Sequence, residues 1–233
     1  MSHSIKVCFH TCFVLLIIAI IAFSQGRWKV DDTSTKQNVP AVLIDAGHGG
    51  EDGGATSCTG VLESHINLEI SVRLNDLLNL LGIHTKMIRT TDISVYTEGN
   101  TIAAKKVSDL KQRAEIVNHT DNAFLVSIHQ NYFSDSRYSG AQVFYSANPE
   151  SKEFAQILQS SFISVLNPGS NRSIKKADGI FLMQKVTCPA VLIECGFLSN
   201  QKEENMLRDP IYQKKLCCVI ACTISGYLCA DTA

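Results

Sequence analysis

The stretch Val42-Leu43-Ile44-Asp45-Ala46-Gly47-His48-Gly49-Gly50-Glu51-Asp52-Gly53-Gly54-Ala55 constrains this chain more than any other. Three apolar residues followed by Asp read as a buried strand reaching its end. Five glycines then fall within eight positions, with one imidazole, His48, among them. Such a loop can take positive φ and bring its backbone close to a ligand. A strand ending in a Gly turn suits a site at the carboxyl edge of a sheet. The loop has no G-x-x-x-x-G-K-[ST], and its glycines miss the dinucleotide spacing, so a phosphate cradle fits poorly. A neutral imidazole at a strand end serves either as a zinc ligand or as a satisfied structural histidine. The loop by itself leaves both readings open.

Strand and helix signals alternate through the rest of the chain. A first strand covers 41–44. A helix is expected over 63–81, with Ile66, Ile70, Leu74, Leu77, Leu78 and Leu81 at helical spacing and Gly82 ending it. Strand 83–89 follows, so the strand–helix–strand order implies a parallel pair. Residues 90–107 are polar, without pattern, and long for a plain connection, which is where function or mobility concentrates. A helix over 109–119 buries Leu110, Ala114 and Val117. Strand 123–128 ends on His129, then Gln130 and Asn131. Strand 140–146 is placed at a sheet edge. A helix over 149–166 carries Phe154, Ile157, Leu158, Phe162 and Val165. A short strand 180–183 precedes strand 189–193, which ends on Glu194. Two helices close the chain, the last over 212–228 with Leu216, Val219, Ile220, Thr223 and Tyr227. The expected fold is α/β: a single-domain open twisted, mostly parallel sheet with helices on both faces.

The first 26 residues differ in kind. Lys6 precedes an apolar run, and Ser24-Gln25-Gly26 follows it. That is the layout of a secretory signal peptide. Counted over 7–23, the run also approaches the minimum length of a membrane helix, so an uncleaved N-terminal membrane anchor is the alternative. Either way the body is expected to be exported, extracytoplasmic, and touching membrane only through this segment. Residues 27–38 read as a polar linker and 39–230 as the folded domain. A formal net charge of −1 gives no sign of a polyanion partner, so no nucleic-acid partner is expected. Seven of the nine cysteines lie beyond the leader. An odd number without paired spacing argues for buried or free thiols rather than a disulfide framework.

Four polar groups therefore stand beside carboxyl ends of strands or a helix start: His48, Glu63, His129 and Glu194. In an open α/β sheet those ends share one crevice. Two histidines and one carboxylate form a known catalytic zinc set with a position left for water, and the second carboxylate can act as general base. An acid in the first turn of a helix is also favoured by the helix terminus alone, which is the plainer reading of Glu63.

These segments resemble the zinc-dependent N-acetylmuramoyl-L-alanine amidases, the cell-wall amidase family with the D-A-G-H-G-G loop. The matching stretches are V-L-I-D-A-G-H-G-G-E-D-G-G-A (42–55), L-E-S-H-I-N-L-E-I (62–70), L-V-S-I-H-Q-N (125–131) and P-A-V-L-I-E-C-G-F-L-S-N (189–200). The resemblance implies Zn²⁺ on His48, Glu63 and His129, with Glu194 catalytic. It makes 39–230 a zinc amidase domain and peptidoglycan its partner, through muropeptide stem and glycan strand. S-G-A-Q-V-F-Y-S (139–146) and R-S-I-K-K-A (172–177) bring the chain nearer to the germination-specific members of spore formers. That would imply removal of stem peptides in spore cortex, towards muramic δ-lactam. The sequence names no accessory protein. One departure is Glu51-Asp52-Gly53, where the family often has Asp-Pro-Gly.

Around this set, Asn67 and Asn131 are candidate donors to the metal ligands. Gln130 is a candidate substrate contact. Arg89 and Arg113 either hold the long loop, meet substrate carboxylates or form surface ion pairs. Cys195 is either a nucleophile or, on the opposite face of the strand from Glu194, a buried residue. Cys58 is a possible competitor for zinc. Rival functions are a zinc peptidase cutting within the stem peptide, a catalytically silent wall-binding protein and a cysteine hydrolase.

Overall fold

A computed structural model describes residues 40–230, and the expectations for 1–26 and 27–38 lie outside those residues. Six strands form one mixed sheet in the order β2-β1-β3-β6-β4-β5. They are β1 (Ala41–Ala46), β2 (Thr85–Met87), β3 (Ala123–Asn131), β4 (Gln142–Tyr145), β5 (Lys175–Lys176) and β6 (Ala190–Phe197). β1 pairs in parallel with β2 and β3, and β3 with β6. β4 runs antiparallel to β6 and parallel to β5.

Two-residue alternation sorts the strand side chains between two layers. Val42, Ile44, Phe124, Val126, Ile128, Val143, Val191, Ile193 and Cys195 join one buried cluster. It is covered by α1 (Glu63–Leu80), α3 (Pro149–Val165) and α6 (Pro210–Ala230). Leu43, Leu125, Ala190 and Leu192 face the other way, beneath α2 (Ile102–Asn118) and α4 (Phe181–Lys185). The remaining helix, α5 (Gln201–Arg208), follows β6. Helices thus lie on both faces, as expected. On α1 the residues Ile66, Ile70, Leu74 and Leu78 are all buried. Each such side chain is worth ~1.5–3 kcal/mol of burial, which holds Glu63 at the sheet edge from behind.

Several expectations change. α2 begins at Ile102, not at 109, capped by the Thr101 side chain accepting from Ala104 N. Its first turns, from Ile102 to Val107, are largely exposed and show no apolar stripe. They are helical through good formers such as Ala and Lys and through the cap. The expected strand at 180–183 is instead the short helix α4, because a brief apolar run does not distinguish a strand from a buried helical turn. β4 is not an edge strand: β5, two exposed lysines with no readable pattern, pairs outside it. On α3 the buried face is Phe154, Ala155, Leu158 and Phe162, leaving Ile157 and Val165 exposed.

Candidate metal centre and catalytic site

β1 delivers the Gly loop at the carboxyl edge of the sheet, and Gly47 N donates to Ile128 O of β3 at 3.0 Å. His48 adopts φ 62°, left-handed space that a non-glycine residue occupies at a cost of ~1–3 kcal/mol. Two glycines are required by their neighbours. A Cβ on Gly47 would sit 2.2 Å from His129 Nε2, and one on Gly54 would sit 2.6 Å from Glu63 Oε2. At these two positions glycine is set by ligand side chains packed directly against the loop, while Gly49 and Gly50 face the 89–94 segment and Gly53 faces Leu62.

Two buried arginines hold that loop by its carbonyls. Arg89 donates from Nε to Ala46 O (2.8 Å) and from Nη2 to Gly47 O (3.0 Å) and Ser64 O (2.9 Å). Arg113 donates to Ala46 O (2.9 Å) and His48 O (2.7 Å). It also pairs with Asp45 at 2.5 Å and Asp109 at 2.6 Å. Burial alone would raise the Asp45 carboxyl, but the Arg113 charge and the Ser127 hydroxyl hold it below its ordinary value. Both guanidiniums are about 2% exposed. The surface-pair and substrate readings of Arg113 are therefore corrected: its donors are spent on backbone and buried carboxylates. The long segment before α2 also packs on the loop. Ser94 Oγ donates to Gly49 O, and Gly50 N donates to Asp92 Oδ1 at 3.2 Å.

Glu63 opens α1 and presents both oxygens to the site. Oε1 lies 3.0 Å from His129 Nδ1 and accepts from Gln130 N (3.1 Å) and Asn67 Nδ2 (3.2 Å). Oε2 accepts from Ala55 N at 2.9 Å and lies 3.3 Å from His48 Nε2. Burial opposes ionisation of Glu63, yet hydrogen bonds and charge from the two histidines take it far below the ordinary carboxylate range. His48 Nδ1 meets Asp52 Oδ2 at 2.8 Å, the contact that leaves Nε2 free to bind a metal. Burial opposes the charged imidazole here too, but Asp52 and Glu63 together raise His48 to about 9.

His48, Glu63 and His129 each offer a ligand atom, all within 4.8 Å of one another. Ligands 2.0–2.1 Å from one tetrahedral metal lie about 3.3 Å apart, close to the 3.0 and 3.3 Å separations between the Glu63 oxygens and the imidazole nitrogens. The donor set fits zinc. Glu194 on β6 stands opposite His129 in register. Its Oε2 is buried and has no hydrogen-bond partner among the described residues. Burial, reinforced by the nearby Glu63 charge, pushes its carboxyl up to about 7 against the pull of both histidines.

The other expected residues divide. Asn67 is buried and donates to Glu63 Oε1 (3.2 Å) and to Gly47 O (3.1 Å). Gln130 is buried and donates its side-chain amide to Asn67 Oδ1 (3.1 Å); it buttresses the site instead of facing substrate. Asn131 ends β3, and its carbonyl accepts from Leu198 N at 2.8 Å. Cys195 is buried in the core on the opposite face from Glu194, and burial raises its thiol well above the ordinary value. That environment does not suit a nucleophile. Cys58 is exposed and is not among the clustered metal donors. Sequence reasoning missed Asp52 and Asp45. Asp52 carried one signal, a carboxylate four residues after a candidate ligand histidine. Asp45 carried none, since its partner Arg113 comes from a distant helix.

Residues 42–225 match the Amidase_3 family model, described as N-acetylmuramoyl-L-alanine amidase. The germination-specific N-acetylmuramoyl-L-alanine amidase of Bacillus subtilis is 34% identical over 210 residues, covering 88% of each chain. Among solved structures, the CwlD amidase of Clostridioides difficile in complex with the GerS lipoprotein shares 39% identity and a TM-score of 0.78. It matches over 82% of this chain and 100% of that one. An N-acetylmuramoyl-L-alanine amidase from Clostridium difficile 630 shares 33% identity and a TM-score of 0.71, over 82% of this chain and 97% of that one. With the His/His/Glu cluster at its sheet edge, this chain belongs to the N-acetylmuramoyl-L-alanine amidase family and is a zinc-dependent hydrolase of peptidoglycan.

Proposed function

We propose that His48, Glu63 and His129 hold the zinc and that Glu194 is the general base and acid of the reaction. The bond cut is the amide between the lactyl group of muramic acid and L-alanine. The observation that carries this reading is Glu194 Oε2, buried without a partner and in register beside His129. When bound, Zn²⁺ supplies a Lewis acid that polarises a carbonyl and makes water nucleophilic near neutral pH. Glu194 takes a proton from the attacking water and returns it to the leaving amine nitrogen as the C–N bond breaks. Its elevated protonation midpoint suits a group that must do both. Glu63, held by Asn67 and the Gln130 amide, stays ionised as a ligand, so two similar carboxylates take separate roles through their surroundings.

The biological setting we propose is spore cortex, where removal of stem peptides precedes muramic δ-lactam formation. The 34% identity to a germination-specific amidase over most of both chains supports it. Export fits the apolar leader at residues 7–23. A lipoprotein partner is in keeping with the complex formed by the solved relative.

Glu194→Gln tests the assignment. It removes the basic oxygen and keeps size and polarity. Turnover on muropeptides, read by mass spectrometry, should fall ~10²–10⁴-fold, mainly in kcat, with zinc content unchanged. A zinc-loaded, fully active Glu194→Gln protein places the base elsewhere.

A further inference from the structure

Helix α5 turns an acidic face inward: its buried residues are Glu203, Glu204 and Leu207. An acid in the first turn of a helix is favoured by the helix terminus, but that holds at the surface too and does not account for burial. Glu203 ties α5 to the end of β6, accepting from Phe197 N (2.8 Å) and from Gly140 N (2.7 Å). Glu204, fully buried, reaches instead to the turn 57–61. Its Oε1 accepts from Thr59 Oγ1 (2.5 Å), Ser57 Oγ (3.2 Å) and Arg208 Nη1 (3.1 Å). Its Oε2 is buried with no partner among the described residues. A buried carboxylate with one oxygen unpaired is a poor way to stabilise a fold. Gathering hydroxyls on the other oxygen does fix one point of the chain.

That point leads directly to Glu63. Ser57 N donates to Val61 O (2.8 Å) and Ser57 Oγ accepts from Val61 N (2.9 Å), so the hydroxyl that Glu204 holds also closes the turn. Cys58 N donates to Leu198 O (3.2 Å), a second tie to the segment after β6. Below the turn the chain pairs with itself: Thr56 bridges Leu62 antiparallel, Glu63 N donates to Ala55 O (2.9 Å) and Ser64 N to Gly53 O (3.0 Å). This pairing sets Ala55 N on Glu63 Oε2 at 2.9 Å, the oxygen that faces His48 Nε2. Register in an antiparallel pair is fixed by its turn, and this turn is fastened by Glu204. Leu198 and α5 both belong to the segment that leaves β6, so Glu63 and the strand of Glu194 share one support.

We infer that Glu204 is a positioning residue for Glu63: through Ser57 and Thr59 it fixes the register of the 53–64 pairing, and with it the oxygen that Glu63 offers the metal. The inference rests on the proposed ligand set. It is tested on the full chain with metal alone, by chelator competition for zinc and by the visible spectrum of the cobalt(II)-substituted protein, which reports ligand geometry. Glu204→Ala should lower zinc affinity ~10-fold or more, as loss of an outer support of a ligand does, and should shift the cobalt bands. Glu204→Gln, which keeps an oxygen for both hydroxyls, should recover most of that loss. Leu158→Ala, a core change on α3, should melt earlier yet keep the zinc affinity and the spectrum, which separates placing a ligand from holding the fold. A folded Glu204→Ala protein with wild-type zinc affinity and spectrum overturns the inference, and so does a Leu158→Ala protein that loses zinc affinity as much. If Glu204→Ala does not fold, Thr59→Val decides: it removes one hydroxyl of the clamp, and an unchanged affinity and spectrum there overturn the inference. His129→Ala keeps the two readings apart. Full zinc affinity in that variant removes the ligand set, whereas zinc lost there but kept in the clamp variants removes only the role of Glu204.

Discussion

The two flanks of the site are built to different tolerances. On the β1 flank every carbonyl from Ala46 to His48 accepts from a buried guanidinium, and glycines at 47 and 54 are set by contacts under 3 Å. On the β4 flank the walls are exposed turns around a wide cavity, with Tyr138 and Arg137 largely in solvent. The tightness of the β1 flank follows from what metal ligands require. Three metal ligands need fixed positions, and their supports are buried cations and carboxylates that cannot relax without leaving a charge unpaired.

The largest expected effect lies on the tight flank. His129→Ala removes one of three ligands and should abolish stoichiometric zinc and activity together. Elemental analysis showing one zinc per chain in that variant would refute the ligand set, and with it the contrast between flanks.

Next in size is Arg113→Met. It leaves Asp45 buried without its cation and frees the His48 carbonyl. Breaking such a pair should cost ~3–5 kcal/mol of stability, measured by denaturant unfolding, with weakened zinc retention. A loss under ~1 kcal/mol, as for a surface pair, would mean the loop is not held as its hydrogen bonds indicate.

A smaller, graded effect concerns pH. In the metal-free protein His48 is raised from 6.5 to about 9. Its stabilising contribution is complete below about pH 6.5 and is lost as pH rises through about 9. Zinc must displace that proton, so apparent zinc affinity should climb over the same window by ~10-fold per pH unit at most. Chelator competition at several pH values reads the affinity, and thermal unfolding of chelated protein reads the stability. Affinity that stays flat between pH 7 and 9 would separate His48 from the metal.

Much of the site was legible because its residues sit at element ends. His48, His129 and Glu194 each follow a continuous apolar run, and Glu63 begins a helix with clear period. Element ends share one sheet edge in this architecture, so linear position was enough to bring them together. Asn67 was legible for the same reason, one turn beyond Glu63 on α1.

Arg89 and Arg113 show where that reasoning stops. A charged residue in a polar segment or on a helix reads as surface, and only the packing of α2 against the strand face turns Arg113 inward to Asp45. The early start of α2 and the short helix at 181–185 were likewise settled by capping and tertiary contact, since neither has a periodic apolar stripe. The sequence alone determined the alternating α/β layout, the carboxyl edge and the placing of His48, Glu63 and His129 at it, because hydrophobic periodicity and turn chemistry are local. The tertiary structure decided which charges are buried and which of them meet, as Arg113 meets Asp45. Those depend on distances between residues far apart in the chain, and no local pattern encodes them.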